Sequence, residues 1–185
     1  LNIKVMMAFL RRAVTHPAAK DMLHVGLIMG CGDVIAQTYI EKKDLKSVDW
    51  QRTAKFGGLG FFFVAPSLRK WFGTLERILP HNQPHFQRAV KKVALDQICF
   101  APFFIAAITS AVNILNGMNF RENIQSLEEI YFPILKANYT LWPMAQLINF
   151  GILPLRYQVL FAQMVALLWN TYLSLKINEK SESSS

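Results

Sequence analysis

The chain has 185 residues, 52% of them hydrophobic and 17% charged, with a net charge of +8. A soluble domain usually carries about 25% charged residues, and here the lysines and arginines gather at the ends of apolar runs. That distribution excludes an ordinary soluble globule and fits orientation signals and lipid headgroups better than a nucleic-acid surface.

Residues 1–17 form a basic arm (Lys4, Arg11, Arg12) with the composition of a targeting stretch. His16-Pro17 ends that arm and starts a helix. A first span is expected over residues 18–39. In it Gly26, Gly30, Asp33 and Gln37 recur at i, i+4, i+7 and i+11, one helical face. Gly26-xxx-Gly30 predicts close approach of a neighbouring helix, and Asp33 needs a partner or water. A charged loop follows, with Trp50 at an interface. The second span, 51–69, holds Gly57, Gly58 and Gly60, suited to close packing, and Pro66, expected to kink it. Arg69, Lys70 and Trp71 mark the far interface. His81 and His85 have the i, i+4 spacing of a metal pair, but Pro84 intervenes and no third ligand is evident. No metal or cofactor is expected.

Gln97 to Phe120 is a 24-residue uncharged run and the clearest span, with Asp96 and Gln97 at its mouth. Cys99, Pro102, Ala106, Ser110, Asn113 and Gly117 follow one of its faces. Cys31 and Cys99 lack disulfide or metal spacing and are expected as small buried hydrophobes. Residues 120–136 read as a short amphipathic helix along the membrane surface, ended or bent by Pro133. Residues 137–155 carry no charge over nineteen positions, about enough helix to cross a ~30 Å hydrocarbon core. Trp142, Gln146, Asn149 and Arg156 fall on one face at i, i+4, i+7 and i+14. Pro143 and Pro154 are candidate breaks. Residues 137–175 therefore form either one kinked helix or two spans with Arg156 at the turn. The tail, 177–185, is polar and expected to be disordered.

The expected fold is all-α: a polytopic helical membrane protein with four or five transmembrane helices and a short amphipathic interfacial helix, its single membrane domain covering 18–176. Amides stranded in lipid cost several kcal/mol each unless they find partners or water. The spans therefore hide a polar seam of Asp33, Gln37, Asp96, Gln97, Gln146, Asn149 and Arg156. Gly26, Gly30, Pro66, Trp142, Pro143 and Pro154 shape the packing around it. Such a seam lines a path for small solutes or glues helices together, within one chain or in a homo-oligomer in the bilayer. No nucleophile–base pair, metal cluster or phosphate loop appears, so no enzyme is expected, and no direct nucleic-acid partner.

Several pieces, in order and spacing, carry a family resemblance: His16-Pro17, Gly32-Asp33 with Gln37, Asp49-Trp50 with Arg52-Thr53, Asp96-Gln97 with Pro102, Trp142-Pro143 with Gln146, Asn149-Phe150 and Pro154, and Trp169-Asn170 with Tyr172-Leu173-Ser174. Together they resemble the Mpv-seventeen and peroxisomal-membrane-protein-twenty-two family, which includes Sym-one, over nearly the whole chain. One departure is Ala65-Pro66-Ser67-Leu68, where relatives usually have Gly-Pro followed by an aromatic residue or His and then Trp-Tyr. The resemblance implies an integral protein of the mitochondrial inner membrane, with the peroxisomal membrane as the alternative. It also implies weakly selective pore activity, attributed to some members, and links to nucleotide supply, mitochondrial DNA maintenance and reactive-oxygen handling. A non-conducting scaffold or assembly factor is the other reading.

Overall fold

The computed structural model describes residues 16–79, 82 and 84–182, with side chains as far as residue 168. The basic arm up to residue 15, His81 of the His81–His85 spacing, and the side chains of the Trp169–Ser174 motif lie outside the described residues. Every described element is helical. The chain divides into two compact units, residues 1–69 with 163–185, and residues 70–162.

In the first unit, Pro17 opens α1 (Pro17–Ile35) where its missing N–H costs nothing, and His16 Nδ1 accepts from the Ala18 N–H at 3.2 Å. A π-helical turn (Ala36–Ile40) prolongs α1. After a loop with a short 3-10 turn (Leu45–Ser47), Asp49 caps α2 (Trp50–Leu59) through Oδ1, which accepts from the Arg52 N–H at 3.0 Å. A second π turn (Gly60–Val64) leads into α3 (Ala65–Ile78). α1 packs along α2 and this turn. A Cβ at Gly60 would stand 2.9 Å from the Val25 carbonyl oxygen and 2.9 Å from Met29 Sδ, and one at Gly26 would stand 3.0 Å from the Gly57 carbonyl oxygen. Close approach therefore runs through Gly26, Gly57 and Gly60. Gly30, the second glycine of the expected motif, would meet only Thr53 at 3.8 Å, ordinary contact. Asp21 near the start of α1 pairs with Arg69.

The second unit holds the end of α3, then α4 (His85–Leu95), a third π turn (Asp96–Phe100) and α5 (Ala101–Leu115). Gly117, at φ +91°, turns the chain back. Asn119 and Glu122 form a reciprocal capping box that starts α6 (Phe120–Ile152). Asn113 on α5 donates to Asn123 Oδ1 at 2.9 Å and Ser126 Oγ at 3.1 Å, locking this hairpin. α4 and α5 pack along α6, with Phe72 edge-on to Phe150 in the core.

Three expectations change. The amphipathic segment 120–136 is not a separate short helix. α6 runs 33 residues through Pro133 and Pro143, because one face, from Asn123 through Asn138 to Gln146 and Asn149, stays half-buried or buried along its length. Packing of that face outweighs the backbone bond each proline gives up. Pro154 does break the chain, and α7 (Leu155–Glu182) begins after it, so the two-helix alternative holds and Arg156 sits on a different helix from Gln146 and Asn149. Leu153 is extended (φ −92°, ψ 136°), the conformation a following proline enforces. Finally, Cys31 and Cys99 are exposed free thiols rather than buried hydrophobes. The π turn explains Cys99: its extra residue per turn shifts it off the face that buries Asn113.

Pro66 and Pro102 share a device. The ring of a helical proline crowds the carbonyl four residues back. Those carbonyls belong to Phe62 and Ile98, and each lies inside a π turn, where hydrogen bonds reach one residue further.

Two helical runs among the described residues are long and apolar enough to cross a bilayer, Pro17–Ile40 (24 residues) and His85–Leu115 (31 residues), and Leu155–Leu168 is a shorter apolar helix. The surface carries large exposed apolar side chains such as Leu27, Phe62, Ile98, Phe103 and Phe132, while Asp33, Gln37, Asp96, Gln97, Gln146 and Asn149 are buried. Apolar outside and polar inside is the arrangement of helices packed in lipid.

Candidate functional site: two buried polar clusters

The first cluster belongs to the first unit. Asp33, near the end of α1, and Gln37, in the following π turn, face the start of α2. Asp33 Oδ2 accepts from Gln37 Nε2 and from Thr53 Oγ1, both at 2.7 Å. Asp33 Oδ1 lies 2.8 Å from Arg52 Nε in an ion pair. Gln37, 0% exposed, also donates to the Asp49 carbonyl at 3.2 Å and accepts from the Asp49 N–H at 2.7 Å. One carboxamide thus ties the end of α1 to the cap of α2. Arg52 continues outward to Glu41 Oε1 at 2.6 Å, and Glu41 to Lys43 at 2.8 Å. Lys43 holds the Glu41 carboxyl below its ordinary range, against the opposing effect of burial and with the help of Arg52. Every charge in this chain of groups meets its opposite.

The second cluster belongs to the second unit. Asp96 and Gln97, adjacent in the third π turn, both point inward. Asp96 Oδ1 accepts from Trp71 Nε1 at 2.8 Å; Oδ2 accepts from Gln97 Nε2 at 2.8 Å and Gln146 Nε2 at 2.9 Å. Gln97 Oε1 accepts from Asn138 Nδ2 at 3.0 Å, and the Gln97 carbonyl from the Tyr139 hydroxyl at 3.0 Å. Beyond Gln146, whose Oε1 accepts from Asn149 Nδ2 at 2.9 Å, Asn149 donates again to the Gln158 carbonyl at 3.3 Å. Gln158 Nε2 returns to the Leu153 carbonyl at 3.0 Å, satisfying an oxygen at the Pro154 break. The column is nearly all carboxamide. Its single charge, Asp96, is 2% exposed and has no ion-pair partner among the described residues. Among the described residues, Asn149 Oδ1 and Gln158 Oε1 are buried without a donor.

The nearest cation on the same helix is Lys92, one turn before Asp96, and it is engaged elsewhere. Lys92, 3% exposed, pairs with Glu76 and lies over the Phe150 ring at 5.8 Å. Arg88 joins it on Glu76 at 2.5 Å and also donates to the Leu79 carbonyl past the end of α3. Burial opposes ionisation of Glu76, but hydrogen bonds from Lys92 and Arg88 prevail and bring its pKa down to about 2.

Asp33 and Gln37 therefore meet in one cluster, and Asp96, Gln97, Gln146 and Asn149 in the other. Arg156 joins neither: it is exposed, its guanidinium 4.7 Å from the Tyr157 ring centre. Trp142 and Pro143 are half-buried and Pro154 exposed. Sequence reading missed Trp71, taken for an interface anchor, and also Asn138, Tyr139 and Gln158. A carboxamide within an uncharged run was the available signal for Asn138 and Gln158.

The description "Mpv17 / PMP22 family" matches residues 113–174, which hold the α6 half of the second cluster. A mitochondrial inner membrane protein Mpv17 of Drosophila melanogaster is 43% identical over 159 residues, 86% of this chain and 95% of the relative. The chain belongs to the Mpv17 / PMP22 family. Mpv17 proteins of Danio rerio and Homo sapiens are each 38% identical, over 89% and 91% of this chain and 92% and 95% of their own lengths. Like these relatives, this family member is a mitochondrial inner-membrane protein. No solved structure matches it.

Proposed function

We propose that this Mpv17 / PMP22 family member is a channel for small solutes or metabolites, with the Asp96 column as part of its conducting lining. It works without enzymatic chemistry and without direct contact with nucleic acid. Any role in nucleotide supply, DNA maintenance or reactive-oxygen handling follows from what it passes. The observation that carries this reading is a buried carboxylate with no counter-cation, beside amide oxygens with no donor, among the described residues. Such groups are costly in hydrocarbon and are found where a membrane protein meets ions, water or solute. In this reading the chain crosses the membrane four or five times, the two apolar runs being joined by residues 51–69, α6 and, as a fifth, α7, and so few helices assemble a pore as a homo-oligomer.

A second reading, a non-conducting scaffold, is favoured by the Asp33 cluster, whose charges are all answered internally. Single-channel recording of purified protein in planar bilayers separates the two. The channel reading expects discrete currents whose selectivity moves with Asp96→Asn and stays put with Arg156→Gln. Silence from a folded, inserted sample supports the scaffold.

A further inference from the structure

All three side-chain contacts to Asp96 come from N–H donors: Trp71, Gln97 and Gln146. That surrounding suits an ionised carboxylate, since a protonated acid must itself donate. Ionised, Asp96 places one negative charge in the interior. Through Gln146 and Asn149 the column leads to Asn149 Oδ1 and Gln158 Oε1, buried in residues 0% and 2% exposed and lacking donors among the described residues.

Turning the amides over does not relieve this. A flipped Asn149 would set its oxygen against Gln146 Oε1 and the Gln158 carbonyl. Flipping Gln158 would oppose its oxygen to the Leu153 carbonyl, and flipping Gln146 would oppose its own to the Asp96 carboxylate. The two acceptors are fixed by the same hydrogen bonds that leave them bare. What they lack is a donor or a bound cation, and Asp96 lacks a counter-charge among the described residues.

We propose that Asn149 and Gln158 form a binding site for a monovalent alkali cation, held directly by the two amide oxygens and balanced by Asp96 through Gln146. Hard cations take oxygen ligands, and one carboxylate with neutral oxygens matches a single positive charge. Divalent ions call for more carboxylates, and softer metals for His or Cys. A water molecule could donate to both oxygens but would leave Asp96 unbalanced. In naming the permeant class, this inference rests on the channel reading; binding itself does not require conduction.

The test uses the full chain in detergent at constant ionic strength, with choline replaced stepwise by K⁺ or Na⁺. The site predicts a saturable rise in Tm together with a shift in tryptophan emission, since Trp71 touches Asp96. Asp96→Asn should lose both responses, and Asp33→Asn should keep them. If Asp96→Asn fails to fold, Gln158→Glu decides: an added charge beside the ion should lower the half-saturating concentration. No response to alkali cations, an unchanged response in these variants, or a stronger response to Mg²⁺ or Ca²⁺ overturns the site. Binding without bilayer currents keeps the site and sinks the channel; currents without cation-dependent stability do the reverse.

Discussion

Trp71 donates its indole N–H to Asp96 at 2.8 Å while its ring stacks on Phe100, 5.0 Å away and 8° from parallel. Phe104 extends the stack at 4.9 Å. The two ends of the third π turn are thus held by one side chain, polar at Asp96 and apolar at Phe100. Trp71→Phe should keep the stack and remove the donor. A hydrogen bond to a charged group contributes about 1.5–3 kcal/mol, so thermal unfolding in detergent should show a loss of that order. A loss under ~0.5 kcal/mol would mean that the carboxylate is served from elsewhere.

Arg52→Gln strands the Asp33 carboxylate, and breaking a buried pair from one side costs about 3–5 kcal/mol. Partial exposure of Arg52 places the effect at the lower end of that range. The double variant Asp33→Asn/Arg52→Gln should recover part of the loss, giving a measurable coupling in a double-mutant cycle. Strict additivity of the two single losses would show that the pair is not coupled.

Gly60→Ala drives a methyl group onto the Val25 carbonyl oxygen and Met29 Sδ, and overpacking of this kind costs about 1–3 kcal/mol. Gly30→Ala meets ordinary contact and Gly58→Ala open space, so both should be neutral or gain up to ~1 kcal/mol from helix propensity. Equal losses at Gly30 and Gly60 would refute the assignment of the close contact.

Glu76 gives a pH signature. Its pKa is lowered from 4.5 to about 2 in the folded chain. The unfolded chain therefore takes up the proton first, and the stability due to the Lys92 and Arg88 contacts is complete above pH 4.5 and lost as pH falls towards 2. Glu76→Gln should be less stable at neutral pH and should show a shallower fall across that window. Parallel acid profiles for the two proteins would contradict the linkage.

Helical periodicity placed Asp33 with Gln37, and Gln146 with Asn149, on shared faces because each set lies within one helical run. It failed where the run changes. Arg156 was counted along with Gln146 across Pro154, and the helix does not continue there. Cys99 was counted along with Asn113 across a region where the turn is wider than 3.6 residues. Partners far apart in sequence, such as Trp71 for Asp96 or Arg52 for Asp33, left no periodic trace; packing alone brings them together. The glycines show the same limit: a motif spacing pointed to Gly30, whereas the contact between helices falls on Gly26, Gly57 and Gly60.

The π turn at Asp96–Phe100 also bears on which changes of length this chain tolerates. Loops usually absorb insertions and deletions, but here a helix has taken in a supernumerary residue. Removing one residue from 96–100 would let the turn close to ordinary α geometry, and His85–Leu115 would remain an unbroken apolar rod. In that tighter turn, however, neighbouring residues stand about 100° apart, so Asp96 and Gln97 would no longer both face inward to meet Gln146 and Asn138. Such a deletion should be nearly silent to a hydropathy plot or to membrane insertion, yet ruinous to the interior it leaves behind.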